Sequence, residues 1–330
     1  MSDNLLVLKK IRIRGLGTVV DTNWFTIGNN LTYFAMPSDF DKKGFFSALQ
    51  AINPPYTILE KKPFRDYPLT HRDGKYQKRV RPDRRTITLT IFVAQPETVM
   101  MLGEITPHLY ETDRIEVGRK MDYSRWLNFV EIASSSRWSE VEDALKEVMK
   151  RYSFAEETFF ADTVAAMRSP DRIKGATLEI LEKPLMELVK KTESDAEKKF
   201  LKEILFVVQR QRHFNTAKVR IEAMLPSFLY FNIEEMLAGE YAQNENKSAL
   251  HLLMGKVDAV IDHSKKLQQS RPIFLFDEES FASDAEIKQE MRKYADELSS
   301  SYQCLYMLQE GELVGEKDAV KVIRFSDLFS

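Results

Sequence analysis

Leu31 to Asn53 reads LTYFAMPSDFDKKGFFSALQAIN, and the fold of the whole chain turns on this stretch. Leu31, Tyr33 and Phe34 open it as an apolar strand, a polar loop with a lysine pair follows, and Phe45 to Ile52 is apolar at helical spacing. A strand, a loop and then a helix is the setting an anion-binding loop requires, because the first amides of a helix point at the anion. The loop nevertheless lacks the glycines that would let its backbone wrap an anion closely.

Working outward, the segment before it holds two strands. Leu5 to Arg14 alternates apolar and basic residues, and Val19 to Ile27 is interrupted at Asp21 to Asn23. Gly15, Gly17 and Gly28-Asn29-Asn30 mark the turns between them. After the helix, Asn53-Pro54-Pro55 is a stop, since proline cannot continue a helix. A basic segment follows from His71 to Arg85, carrying Lys75, Lys78, Arg79, Arg81, Arg84 and Arg85. Such a cluster suits phosphate-backbone contact through counterion release, or equally a solvated hairpin that keeps an edge strand soluble. Thr86 to Val93 and Arg114 to Arg119 read as strands of a β-rich first part.

The period changes at Ser139, a candidate N-cap ahead of Glu140 and Glu142, with Val141, Leu145, Val148 and Tyr152 on one helical face. Helical spacing continues through Leu178–Leu188 and Phe200–Val208 to about His213. The expected organisation is therefore a β-rich part over 1–138, a helical insertion over 139–214 and an α/β part over 215–330. In the last part, Ile273 to Phe276 reads as a fully buried parallel strand ending in Asp277-Glu278, and ligands of open α/β sheets bind beyond such strand ends.

Composition excludes several classes. The 330 residues are 43% hydrophobic and 30% charged, as in a globular domain. No run approaches the ~20 apolar residues of a membrane helix. The start, MSDNLLVLKK, lacks the pattern of a signal peptide. One cysteine, Cys304, rules out an intrachain disulfide and a multi-cysteine zinc site, which fits a cytoplasmic protein. The five histidines show no metal spacing. Net charge of −2 makes any nucleic-acid surface a local one. The Met100-Met101 pair and the three tryptophans are expected in the core or in lobe contacts.

Three phrases resemble the ABC-type ATPase heads of SMC, RecF and OLD-like proteins. "ALQAINP" (48–54) is similar to the helix after their P-loop, "LPSFLYF" (225–231) to a short strand before their signature segment, and "IFLFDEES" (273–280) to their Walker B strand. The resemblance covers nearly all of the chain. It implies an α/β fold of P-loop NTPase kind, with a β-rich N-terminal lobe and a helical insertion. It also places Lys42 at the P-loop lysine, Lys43 at the magnesium-binding Ser/Thr, Asp277 as magnesium ligand and Glu278 as catalytic, water-orienting base.

The chain departs from that pattern in a consistent way. Met36, Asp39 and Asp41 fall on glycine positions, Glu245-Asn246-Lys247-Ser248 stands where a glycine-pair signature belongs, and Gln309 falls near the switch histidine. One aspartate ~4 Å from a phosphate, at an effective dielectric near 20, costs about 4 kcal/mol before screening, roughly a thousandfold in affinity. The resemblance therefore implies a degenerate head that binds ATP and Mg2+ weakly or not at all. Such a head would pair with itself or with an intact ATPase subunit, with DNA or defence as the setting and no membrane. Two alternatives stand beside it: a divergent ATPase using Lys42, Asp277 and Glu278, and a nucleic-acid-binding module using residues 71–85. The conformation of residues 35–44 separates the first two.

Overall fold

A computed structural model of the chain describes residues 5–16, 19–55, 84–105, 112–152, 158–231, 249–278, 285–312 and 320–329. They fall into two compact units: residues 1–101, 111–130 and 221–330 form one, and 102–110 with 131–220 the other.

The first unit holds two sheets. In the antiparallel one, β1 (Leu6–Leu16) pairs with β2 (Val19–Asp21), β3 (Phe25–Thr26) and β5 (Thr86–Ala94), and the order continues through β6 (Arg114–Lys120) to β7 (Arg125–Phe129). The alternating sequence of β1 does what its period predicts: Leu6, Leu8, Ile11 and Ile13 are buried, with a register shift between Leu8 and Lys10 that lets the two halves share one core. At Gly118 the indole of Trp126 lies so close that an added Cβ would stand 2.4 Å from it.

The second sheet is parallel throughout. Its order is β11 (Lys321–Arg324), β4 (Leu31–Met36), β10 (Gln303–Gln309), β9 (Ile273–Asp277) and β8 (Phe228–Phe231). All five residues of β9 are buried, because strands flank it on both sides and side chains cover both faces. On one face Ala35, Phe274, Phe276, Cys304 and Tyr306 meet Leu253 and Val257 of α8 (Ala249–Lys266) and Met291 and Ala295 of α9 (Ala285–Ser299). On the other, Phe34 meets Phe45 and Phe46 of α1 (Lys42–Gln50) at 5.5 and 6.5 Å between ring centres. Helix α1 packs between the two sheets, touching β8 and β9 on one side and β1 and β5 on the other.

Arginine side chains fix the C-terminal end of α1. Arg119 of β6, 6% exposed, donates to the carbonyls of Ala51 (2.5 Å), Ile52 (2.9 Å) and Tyr123 (2.7 Å), and lies 4.6 Å from the Tyr123 ring centre. Arg125 donates to Asn53 Oδ1 at 2.9 Å, and Asn53 in turn donates to Leu225 O at 3.0 Å. Carbonyls at a helix end have no partner within the helix, and cationic donors suit the negative end of its dipole.

The second unit is helical. Helices α3 (Glu142–Arg151), α4 (Thr158–Ala166), α5 (Ala176–Lys191) and α6 (Asp195–Val208) bury Leu145, Val148, Phe160, Leu181, Leu185, Leu201 and Ile204 in one core. Ser139 is not the N-cap of α3: it lies inside a 3-10 turn, Trp138–Glu140, and Val141 precedes the helix. Trp138 is fully buried, so that packing decides the local conformation over capping preference. Helix α7 (Arg210–Met224) continues past His213 until Pro226 ends the helical run. Two smaller expectations are also corrected. Helix α2 (Pro96–Ile105) joins β5 to the residues beyond it, and Met100 on it is 71% exposed and not in the core. Helix α1 begins at Lys42, three residues before the first apolar position.

Candidate functional site

The carboxyl ends of a parallel sheet are where its following loops gather, and a chain that steps to both sides of one strand leaves a crevice there. Here that strand is β4. From it the chain travels to β8, returns through β9 and β10, then crosses to β11 on the far side. The loop 37–41, the Asp277-Glu278 pair and Gln309 therefore share one end of the sheet. Gln309 pairs directly with Met36, and Asp277 with Met307, so β10 separates the two candidate motifs.

The backbone of the loop is bonded to itself. Phe40 N donates to Pro37 O (3.1 Å), Lys42 N to Phe40 O (2.8 Å) and Phe45 N to Asp41 O (3.0 Å). Asp41 is the N-cap of α1, and its carboxylate accepts from Gly44 N at 2.8 Å, the place an external anion would take. Among the described residues, positive φ occurs at Gly15, Tyr123, Glu131, Gly175, Gln268 and Gly311 only, so none of residues 37–44 takes the left-handed turn of an anion nest. Phe40 is buried and packs on Phe45 and Phe325 at 5.6 and 5.9 Å, filling space under the loop with an aromatic ring. Lys42 is buried at 4% exposure on the first turn of α1, while Asp39, Asp41 and Lys43 are exposed. Met36 is wholly buried.

Across β10, Asp277 is 5% exposed and accepts from Tyr230 Oη at 3.3 Å. Glu278 is 1% exposed, and both of its oxygens are taken by one guanidinium: Arg292 Nε to Oε1 at 2.7 Å and Nη2 to Oε2 at 2.8 Å. Arg292 Nη2 also donates to Glu312 at 2.8 Å, and Lys288 lies 3.4 Å from Glu312. Burial pushes the Glu278 carboxyl above the usual carboxylate range, and Arg292 pulls it only part of the way back. Burial likewise works against the Arg292 cation, but the Glu278 hydrogen bonds and charge, with Tyr306 and Glu312, together more than offset it. The two-pronged geometry is that of an ionised pair, and the paired form is the one these distances support. Burial also raises the hydroxyl pKa of Tyr306 and Tyr33, whose rings meet at 5.5 Å in the same region.

Of the residues singled out from sequence, Lys42, Lys43, Asp277, Glu278 and Gln309 thus gather at one end of the sheet. Lys75, Lys78, Arg79 and Arg81, with the signature-like Glu245 to Ser248, lie outside the described residues. Arg84 is exposed and Arg85 half-buried just before β5. Sequence reasoning missed Arg292, Glu312 and Phe40. Phe40 carried a signal, a lone aromatic in a polar loop; the arginine pairing carried none. Among the described residues no group of three or more His, Cys, Asp or Glu could hold a metal ion. No helix among them is long and apolar enough to cross a membrane.

Solved structures of RecF and Smc heads are similar to this chain over most of its length, at low sequence identity. One is the recombination mediator protein RecF with ATP, at TM-score 0.34 and 10% identity, covering 94% of this chain and 94% of that one. Another is an Smc head bound to the C-terminal winged-helix domain of ScpA, at TM-score 0.36 and 14% identity, covering 92% and 90%. A third is an Smc head with an extended coiled coil bound to the C-terminal domain of ScpA, from Pyrococcus furiosus, at TM-score 0.35 and 12% identity, again covering 92% and 90%. No protein-family model and no curated protein matches the chain.

Proposed function

We propose that the chain is a head of ABC type whose nucleotide loop is degenerate and which serves as a structural or regulatory subunit of an ATPase assembly, paired with itself or with an intact ATPase. One observation carries this reading: the Asp41 carboxylate occupies the Gly44 amide at the start of α1, within a loop whose Phe40 and Lys42 amides are spent on Pro37 and Phe40 carbonyls. A phosphate would have to displace a tethered carboxylate and open those bonds. It would also meet the negative charge of Asp39 and Asp41. The Glu278–Arg292 pair supports the same reading, because a glutamate with both oxygens in a guanidinium fork is not placed to take a proton from water.

A second reading, a divergent ATPase, is favoured by Asp277, Glu278 and Lys42 standing at one end of the sheet. Calorimetric titration of the full chain with Mg-ATP separates the two, repeated on any dimer that light scattering reveals. The degenerate head gives no heat of binding at micromolar ATP and no phosphate release. Micromolar affinity, with hydrolysis abolished by Glu278→Gln, would overturn it.

A further inference from the structure

Helix α9 turns two cations, Lys288 and Arg292, toward the end of β9 and the segment after β10; one helical turn apart, they share a face. Arg292 serves two carboxylates of unlike standing. The Glu278 side chain is 1% exposed, with its oxygens held at 2.7 and 2.8 Å by Nε and Nη2. The Glu312 side chain is 35% exposed and takes the same Nη2 at 2.8 Å, with Lys288 Nζ at 3.4 Å. One nitrogen therefore bridges a sealed carboxylate and an accessible one.

Both ends of this bridge are held in place. Glu278 follows directly on β9, whose residues are all buried. Glu312 N donates to Gln309 O at 3.1 Å, which closes a turn at the end of β10, and Gly311 at its third position has φ of +100°, a conformation that suits glycine. Between these ends lies a planar, rigid fork, in which Nη2 cannot move without taking Nε with it. The Glu312 charge also separates Lys288 from Arg292; without it they are like charges one turn apart on a helix, which repel.

We propose that Glu312, Arg292 and Glu278 form a latch with an accessible outer end and a sealed inner end, in which Glu312 positions the guanidinium on Glu278 and a movement of the Gln309–Glu312 turn releases the buried carboxylate. The latch rests on the Glu278–Arg292 pairing that supports the degenerate head, and adds the means by which that glutamate is held and freed. It makes the exposed turn, rather than the loop before α1, the place from which Glu278 is regulated.

The test is the rate at which the Arg292 Nε–H exchanges with water, read by nuclear magnetic resonance of the isotope-labelled full chain and assigned by its loss in Arg292→Lys. That proton is donated to Glu278, while Glu312 takes Nη2, so a change at Glu312 reaches it only through the guanidinium. Glu312→Gln should speed the exchange about fivefold or more, the lower end of energetic coupling between sites. Glu312→Asp, which keeps the charge, should speed it less. Glu297→Gln, which removes the exposed partner of Lys293 on the same helix, should leave it unchanged. Exchange that is fast in the wild type, unchanged in Glu312→Gln, or equally faster in Glu297→Gln overturns the latch. The calorimetric titration above keeps the two readings apart. Micromolar Mg-ATP binding with the Arg292 response intact overturns the degenerate head alone; no binding and no Arg292 response overturn the latch alone.

Discussion

Replacing Arg119 by methionine should detach α1 from the antiparallel sheet, and the structure sets the size of the effect. Three hydrogen bonds run from the guanidinium to Ala51, Ile52 and Tyr123 carbonyls. At about 1.5–3 kcal/mol for each bond with a charged donor, they contribute about 5–9 kcal/mol gross. Against this stands the cost of burying the cation, chiefly desolvation, which lowers its pKa from 12.5 to about 10. At about 1.4 kcal/mol per pH unit, that depression is worth about 3.5 kcal/mol. Methionine escapes the desolvation but leaves three carbonyls without a donor, so the net loss is about 3 kcal/mol. Arg119→Lys, a point charge that can serve only some of these carbonyls, should lose about half as much. Urea unfolding followed by circular dichroism measures the loss, and hydrogen exchange of the α1 amides locates it. A loss below about 1 kcal/mol in Arg119→Met, with α1 exchange unchanged, would refute the role given to the arginine.

Three further outcomes are expected. Stability should fall steeply above pH 9: burial raises the pKa of Cys304, Tyr306 and Tyr33 and lifts Tyr294 to about 12. A raised folded pKa contributes stability below the unfolded value and loses it as pH climbs toward the folded one, by about 1.4 kcal/mol per pH unit per group. Absorbance at 295 nm should then show fewer than the 12 tyrosines titrating before the fold is lost; all 12 titrating near pH 10 with the fold intact would contradict this. Gly118→Ala puts a Cβ 2.4 Å from the Trp126 indole and should cost about 2–3 kcal/mol in denaturant unfolding, part of it recovered when Trp126→Leu is added. Asp41→Ala removes the cap on Gly44 N and should cost about 1 kcal/mol, whereas Asp41→Asn, which can still accept that bond, should cost less than half as much.

Much of the parallel sheet was legible from sequence because its strands carry their own signal. Ile273 to Phe276 is an unbroken apolar run, and a strand covered on both faces needs one. The alternation of Leu5 to Arg14 announced the opposite case, a strand with one face toward solvent. Ser139 failed as a cap for a tertiary reason: the Trp138 ring is wholly buried, and that placement fixes the backbone before the hydroxyl can act. Met100 failed because one helical turn in isolation does not say which side meets the core.

At the candidate site the same division holds. Sequence alone determined the order of strand, loop and helix, the missing glycines, and the acidic pair at the end of a buried strand. All are properties of residues within a few positions of one another. Tertiary structure decided what those groups meet. Asp41 turns onto Gly44 N only because α1 begins at Lys42. Glu278 meets Arg292, 14 residues away, because α9 returns across the sheet. Arg119 reaches Ile52 across 67 residues because two sheets clasp one helix. Local periodicity records which face of an element is buried. It holds no record of which distant donor will satisfy a buried carboxylate or carbonyl, and that pairing sets the chemistry these residues can perform.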